Sequence, residues 1–217
     1  MASARPSPPV PMPAVALVEI HSFGAALVVL DQVEKSAGLS VLQAELNDAY
    51  GLFLKFTGTS AAARIAVERA AEVARSMKAA LTARVLDAPD REAWGVIESP
   101  PEFQPLLGQG VVLIPRSSPT PMTDSSHAPA AIGLIETQGF TAVTVATDAA
   151  CKAASVEVIA KEKLGGGYVT VIFEGDIAAV EVAVAAGRRA AEEVGKLISA
   201  QVLARPSPGV ARILTRL

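Results

Sequence analysis

The alternation of apolar and polar positions predicts the same order of elements twice along this 217-residue chain. In the first half, short apolar runs predict strands at residues 15–20, 39–46, 52–56 and 81–86. A helix capped by Ser22 and ended by Gly38 follows the first strand. A long alanine-rich helix capped by Thr59 reaches about residue 78, and a short helix over 90–97 ends the half.

The second half predicts strands at 132–136, 156–161, 168–173 and 197–203. Helices are predicted at 140–154, from an Asp176 cap to about 196, and at 209–217. Each half therefore has the order β-α-β-β-α-β. The predicted fold is α/β, an α+β sandwich in which two helices cover a small sheet.

The two halves are also related residue by residue at a constant offset of 117 positions. Twelve residues of the first half recur in this way: Glu19, Phe23, Ala25, Asp31, Lys35, Val41, Glu45, Phe56, Gly58, Ala61, Ala62 and Val67 return as Glu136, Phe140, Ala142, Asp148, Lys152, Val158, Glu162, Phe173, Gly175, Ala178, Ala179 and Val184. A period this long is not that of a solenoid and predicts two copies of one domain. We expect domains at 14–97 and 130–217, a disordered arm at 1–13, and an insertion with a flexible linker at 98–129.

Composition narrows the class of partner. Apolar residues make up 51% of the chain and charged residues 19%, yet no apolar run is long enough for a membrane helix, so we expect subunit contacts and not lipid. A net charge of −3 and 4% aromatic residues disfavour nucleic acid. The single cysteine, Cys151, excludes an internal disulfide and suits a reducing cytoplasm.

Residues suited to catalysis are few. The two histidines are His21, at a strand–helix junction, and His127, in the linker, and no set of residues has metal-ligand spacing. Glu19 and Glu136 occupy equivalent strand positions, where a structural bond to backbone or lysine is favoured over acid–base chemistry. We predict no enzyme and no cofactor. A trimeric regulatory protein that binds a small molecule remains the alternative.

Five ordered segments of the second half carry a family resemblance: A-I-G-L-I-E-T-Q-G-F (131–140), D-A-A-C-K-A-A-S-V-E-V (148–158), K-L-G-G-G-Y-V-T-V (163–171), G-D-I-A-A-V (175–180) and V-L-A-R-P (202–206). They resemble the shell proteins of bacterial microcompartments, and two such domains in unpermuted order resemble the tandem-domain type. The resemblance implies a homotrimer that forms a pseudohexagonal tile. Tiles would meet other shell proteins at their edges, in a cytoplasmic microcompartment, and pass small polar metabolites through a central pore.

The resemblance places the pore at the loop between the second and third strands. In the second half this loop is Lys163, Leu164, Gly165, Gly166 and Gly167, whose glycines leave backbone groups free to line a constriction. The alternative is a flexible hairpin turn. In the first half the equivalent residues are Asn47, Asp48, Ala49 and Tyr50, which either alternate with the glycine loops around the pore or make a tight turn.

The resemblance also assigns tile-edge contacts to Lys35, Lys152 and Arg205, with Ala88 in the place of the arginine in the first half. Some tandem shell proteins bind an iron–sulfur cluster through a pore-loop cysteine. Neither loop has one, and Cys151 is predicted to be a small buried residue on the first helix of the second half, so we expect no cluster.

Overall fold

The computed structural model describes residues 13–47, 51–98 and 131–214. The first domain is built from β1 (Ala14–Ile20), α1 (Phe23–Ser36), β2 (Ser40–Asn47), β3 (Gly51–Gly58), α2 (Ser60–Met77), β4 (Leu81–Leu86) and α3 (Trp94–Ile97). The second is built from β5 (Ala131–Gln138), α4 (Phe140–Ala153), β6 (Glu157–Lys163), β7 (Tyr168–Gly175), α5 (Ile177–Val194), β8 (Lys196–Ala204) and α6 (Pro208–Ile213). The predicted order of elements is confirmed in both halves.

Each domain has one four-stranded antiparallel sheet, and the two sheets have the same topology. Sheet 1 has the order β2-β3-β1-β4 and sheet 2 the order β6-β7-β5-β8. The offset of 117 holds in the pairing, since Leu17 lies opposite Lys55 in sheet 1 and Leu134 lies opposite Ile172 in sheet 2. Even the register shifts coincide, after Val41 in β2 and after Val158 in β6. The repeat seen in sequence is therefore a repeat of backbone geometry.

In each domain, the two long helices pack on one face of the sheet, which we call the inner face. A strand turns alternate side chains to opposite faces, so Ala16, Val18 and Ile20 of β1 enter the core beneath α1 and α2. Small buried residues, such as Ala66 and Ala70 of α2, let the helices lie close to the sheet. The intervening residues of each strand lie on the opposite side of the sheet, which we call the outer face.

The predicted helix caps are partly confirmed. The side chains of Ser22 and Thr59 accept hydrogen bonds from the backbone amides of Ala25 and Ala62, as expected for N-caps. Asp176 stands at the N-cap of α5, but its side chain makes no capping bond. The helix that it precedes ends at Val194, two residues before the predicted end, because β8 begins at Lys196.

The short elements also differ in length from the prediction. The helix expected over 90–97 is limited to α3, and α6 ends at Ile213, with residues 215–217 outside the described part. The predicted arm and linker fall almost wholly outside it as well. Within the described ranges, no helix is both long and apolar enough to cross a bilayer.

Candidate functional site

The two domains meet where α1 of the first domain covers the outer face of sheet 2. Leu27 of α1 belongs to the same buried cluster as Leu134 and Ile172 of that face. We call this contact, which also includes α6, the intrachain interface. Helix α1 is buried from Phe23 to Asp31 because it has a sheet on each side.

One end of the intrachain interface is fixed by Glu136 of β5, which is fully buried. Its carboxylate accepts hydrogen bonds from the Ser22 hydroxyl at 2.5 Å, the Phe23 amide at 3.1 Å and the Gly24 amide at 3.3 Å. The Ser199 hydroxyl lies 3.3 Å away and donates as well. Burial raises the pKa of Glu136 above its ordinary value, and these donors oppose the rise. The predicted structural bond of Glu136 to backbone is confirmed.

Further along the interface, α1 supplies two carboxylates to the start of α6. Asp31 accepts from the Ser207 amide at 2.8 Å, and Glu34 accepts from the Gly209 amide at 2.8 Å and from the Ser207 hydroxyl. The amides at a helix start lack partners within their own helix, so carboxylates from another element stabilise them. The first domain thus caps a helix of the second.

The helix equivalent to α1, α4, has no such cover. Its positions that correspond to the domain core, such as Ala142 and Ala146, are buried. Its other positions are open: Phe140 is 53% exposed and Val145 37%, whereas their counterparts Phe23 and Val28 are 0% and 8% exposed. We call this side of α4 the open helix face; its members are Phe140, Thr144, Val145, Thr147 and Asp148.

The outer face of sheet 1 is open in the same way. Helix α3 covers one part of it, over Val15 and Leu42. Beyond α3 the positions equivalent to the covered part of sheet 2 are half-buried or exposed, and we call them the open sheet face: Glu19, Phe53, Thr82 and Arg84. Within the described residues, one helix–sheet contact is therefore covered, and a helix face and a sheet face with equivalent positions are open.

The glycine loop lies at the same end of sheet 2 as Glu136. Leu164 is buried in the cluster that contains α1, while Gly166 and Gly167 are exposed. Both glycines have positive φ, 73° and 81°, a backbone region that other residues adopt only with strain. Residues of the same domain donate hydrogen bonds to two carbonyls of this loop. The Gly139 amide donates to the Gly167 carbonyl at 2.8 Å, and Gln138 Nε2 donates to the Gly166 carbonyl at 3.2 Å.

The structure describes the whole of the second candidate pore loop and only the start of the first. Lys163 is exposed at the end of β6, and Gly165 is half-buried. In the first domain, Asn47 ends β2, and Asp48, Ala49 and Tyr50 lie outside the described residues. The strands that flank the two loops are equivalent, because each loop joins the second strand of its domain to the third.

The candidate edge residues lie at the opposite end of the helices from the loops. Lys35 Nζ contacts Asp31 at 2.7 Å and donates to the Ala204 carbonyl at 3.1 Å, which brings it beside Arg205. Arg205 is exposed and has a positive φ of 47°. Lys152, on α4, is 74% exposed and pairs with Asp148 at 2.7 Å.

The position of Cys151 corrects the sequence prediction. Cys151 is exposed on α4 and not buried, because it lies on the uncovered side of that helix. It is equivalent to Glu34 by the repeat offset. In the ranges that the structure covers, no three histidine, cysteine or acidic side chains lie close enough together to hold a metal ion.

A family model for the BMC domain matches residues 14–89 and 131–206. The chain belongs to the BMC-domain family. It is a bacterial microcompartment shell protein with two BMC domains in tandem, and the suspected resemblance and the fold class are confirmed. The two matches coincide with the two β-α-β-β-α-β units of the structure.

The chain is similar to curated proteins of one domain's length and to longer ones. Over 88 residues the chain is 46% identical to "Carboxysome shell protein CcmK2" of Thermosynechococcus vestitus, covering 40% of this chain and 86% of that protein. It is 44% identical over 86 residues to "Bacterial microcompartment shell protein PduA" of Citrobacter freundii, covering 40% and 92%. Over 194 residues it is 32% identical to "Carboxysome assembly protein CcmO" of Synechococcus elongatus, covering 89% of this chain and 65% of that protein's length.

Sequence analysis missed one buried charge in the first BMC domain. Lys55, on the outer face of sheet 1, is 3% exposed, and its Nζ donates to Gln43 at 2.8 Å, Glu45 at 2.8 Å and the Ile97 carbonyl at 2.9 Å. It thereby holds α3 on the sheet. The repeat offset pairs Lys55 with Ile172, and a lysine in the place of a buried isoleucine was the available signal.

Proposed function

We propose that three copies of this chain close into a ring of six BMC domains, a tile of a microcompartment shell with a central pore for small polar metabolites. The observation that supports this proposal is the pair of open faces. Since α1 and the outer face of sheet 2 fit each other within the chain, their repeats, α4 and the outer face of sheet 1, have the same backbone geometry for a fit between chains.

The two open faces are different in kind, since one is a helix and the other a sheet. If α4 contacts sheet 1 of the next chain with the geometry that α1 has on sheet 2, each chain offers a helix to one neighbour and a sheet to another. Such a head-to-tail contact either closes into a ring or continues as a filament. The resemblance to tandem-domain shell proteins supports closure at three chains.

The direction of α1 supports the assignment of pore and edge. This helix begins at Glu136, beside the glycine loop, and ends where Lys35 meets Ala204, beside Arg205. Fourteen residues of helix separate these ends by about 20 Å. If every interface of the ring has this geometry, all six loops lie at one end and the candidate edge residues at the other.

Within that ring, Lys163 and the glycine loop would face the axis together with the loop 48–50. Exposed Lys163 and small glycines favour polar or anionic metabolites over large apolar ones. We assign the chain a structural role in the shell and no catalytic one. The names of its relatives, which are shell and assembly proteins, support that role.

Native mass spectrometry and sedimentation of the full chain test the ring. The expected species is three times the 22.3 kDa chain, and Phe140→Asp should leave monomers because it places a charge on the open helix face. Val182→Asp is the matched control: Val182 is 51% exposed on α5, and its counterpart Ile65 on α2 is 42% exposed in the domain whose helix α1 is already covered.

Three outcomes separate the possibilities. Trimers in the control and monomers in Phe140→Asp support the ring. A wild-type chain that stays monomeric at high concentration contradicts it. Trimers that never form sheets, and whose melting temperature rises with a small metabolite, would favour the regulatory alternative.

A further inference from the structure

The surface that receives α1 within the chain has two parts, a sheet and a short helix. Helix α1 lies on the outer face of sheet 2, and its residues Asp31 and Glu34 accept hydrogen bonds from the amides of Ser207 and Gly209, at the start of α6. A neighbour that binds sheet 1 in the same way needs a short helix in the place of α6.

On sheet 1 this place is taken by α3. Helix α3 packs on Val15 and Leu42 of the outer face. Their counterparts at the repeat offset, Ile132 and Ile159, belong to the buried cluster that also contains residues of α6. Each outer face therefore has one short helix beside the surface for a longer one.

The two short helices are held by different chemistry. Helix α6 buries two apolar side chains, Val210 and Ile213. Helix α3 has four residues, and Ile97 is the one that is buried. A helix of a single turn is not stable without tertiary contacts. The position of α3 therefore depends on the groups that attach it to the sheet.

Lys55 is the polar anchor of α3. Its Nζ donates to the carbonyl of Ile97, the last residue of the helix, at 2.9 Å, and Glu45 neutralises the ammonium group at 2.8 Å. Carbonyls at the end of a helix lack partners within the helix, and a positive charge stabilises them. Sheet 2 has Ile172 at the equivalent position, which offers no donor. This attachment is therefore special to the first domain.

Other polar groups under α3 have no partner. Among the residues that the structure describes, the buried side-chain atoms without a hydrogen bond are Thr57 Oγ1 and Trp94 Nε1. Thr57 lies opposite Val15 and shares the outer face with it, and Trp94 belongs to α3. A buried polar group without a partner costs free energy that is recovered on exposure to water. The net free energy that holds α3 is therefore reduced, and the Lys55 bond is a large part of it.

Lys55 also contacts the open sheet face. Its Nζ lies 5.0 Å from the centre of the Phe53 ring, and Phe53 is a member of that face. A cation at this distance is attracted to the ring. One side chain therefore joins both parts of the surface, the short helix and the sheet.

We propose that Lys55 is a positioning residue for assembly, which holds α3 on sheet 1 so that α3 completes the surface for a second copy of this chain. When α3 leaves the sheet, that surface is incomplete and the second copy binds weakly. The inference rests on the proposed ring and adds a local element that controls its formation.

The double variant Gln43→Ala with Lys55→Ile tests the anchor. It gives sheet 1 the residues that sheet 2 has at these positions, Ala160 and Ile172, so this part of the sheet takes a composition that the second domain already folds with. No buried amide is left without its donor, and Glu45, whose side chain is 24% exposed, is hydrated.

Two measurements on the full-length double variant follow α3 and the trimer separately. Acrylamide quenching of Trp94, the only tryptophan of the chain, should rise severalfold, because α3 leaves the sheet. The dissociation constant of the trimer, measured by sedimentation velocity, should rise by about tenfold or more. Circular dichroism at the wild-type level shows that neither change comes from unfolding.

A second variant separates the position of α3 from the charge of Lys55. Ile97→Ala removes the apolar attachment of α3 and keeps the bonds of Lys55 to Gln43 and Glu45. It should raise both the quenching and the dissociation constant. Combining it with the double variant should lower the affinity no further than the stronger of the two alone, because either change already releases α3.

Arg69→Met is the matched control for the loss of an ion pair. Arg69 pairs with Glu72 on the exposed side of α2, at 2.7 Å, and its replacement should change neither measurement.

The outcomes distinguish this inference from the ring itself. Quenching that rises at unchanged trimer affinity, affinity that falls at unchanged quenching, or no change in either overturns the role of Lys55 and leaves the ring in place. A wild-type chain that does not associate overturns both.

Discussion

The hydroxyl of Ser22 donates a 2.5 Å hydrogen bond to the carboxylate of Glu136, although 114 positions separate the two residues in sequence. The same Ser22 oxygen accepts the Ala25 amide at 3.1 Å, so the N-cap of α1 is shared between its own helix and the other domain. Glu136 thus stabilises a helix start across a domain boundary, in a site without water contact.

The raised pKa of Glu136 gives a pH dependence with a definite sign. Because burial favours the protonated acid, the folded state binds more protons than the unfolded state at pH values just above the ordinary pKa of 4.5. The free energy of unfolding due to this group therefore falls as pH rises through that range. Glu136→Gln removes the titrating carboxyl group. The variant should therefore be less stable than wild type by a larger margin below this pH range than above it.

Urea unfolding of both proteins between pH 4 and pH 8, compared with the same pair for Glu157→Gln, measures this effect. Glu157 is exposed on β6 and supplies the baseline. A difference between wild type and Glu136→Gln that does not change with pH, or that grows as pH rises, contradicts the buried titration.

Replacement of Lys55 should destabilise the first domain. Lys55→Met leaves the Gln43 and Glu45 oxygens and the Ile97 carbonyl without their shared donor. Removal of one partner from a buried ion pair costs about 3 kcal/mol or more. The exposed pair of Arg69 with Glu72 is the control, and Arg69→Met should change the free energy of unfolding by less than about 1 kcal/mol. Equal losses would show that Lys55 is solvated.

Lys152→Ala and Arg205→Ala should leave trimers intact but impair their assembly into sheets. Both side chains are exposed in the chain, so their loss does not disturb a core. Arginine at 205 has a planar group that can donate to several carbonyls of a neighbouring tile. Electron microscopy at matched protein concentration measures sheet area. Arg188→Ala, on exposed α5, is the control, and normal sheets from both edge variants would contradict the edge assignment.

Pore width should follow the size of residue 50. Tyr50→Gly should increase leakage of a small metabolite from assembled shells, because three bulky rings would be removed from the proposed axis. Tyr50→Phe keeps the ring and should leak as the wild type does. Leakage that is the same in all three proteins would place residue 50 away from the pore.

The fold could be predicted because both of its signals are local or periodic. The alternation in β1 and the caps at Ser22 and Thr59 depend on neighbouring residues, and the offset of 117 is visible without a structure. The repeat even predicted that Glu19 and Glu136 occupy equivalent positions. The end of α5 was less accurate, at Val194 and not at about 196, and the capping bond expected of Asp176 is not made, because it depends on a side-chain orientation that the sequence does not contain.

The candidate site could be predicted only in part. Its loops and edge lysines came from the resemblance, and their roles stay predictions. The burial of Cys151 was predicted wrongly because the prediction depended only on residue type and on a position within a helix. Whether a helix side is covered depends on which domain lies against it. The comparison of Leu27 with Thr144 at the repeat offset would have indicated the difference.

The covalent connection between the domains has a consequence for how the ring would assemble. Half of its contacts form when each chain folds, in a reaction that does not depend on protein concentration. Only the remaining half respond to dilution, so the ring should come apart into whole chains and never into single domains. Mutation can then tune those concentration-dependent contacts, through exposed residues such as Thr144 and Thr82, without weakening the fold that each chain completes alone.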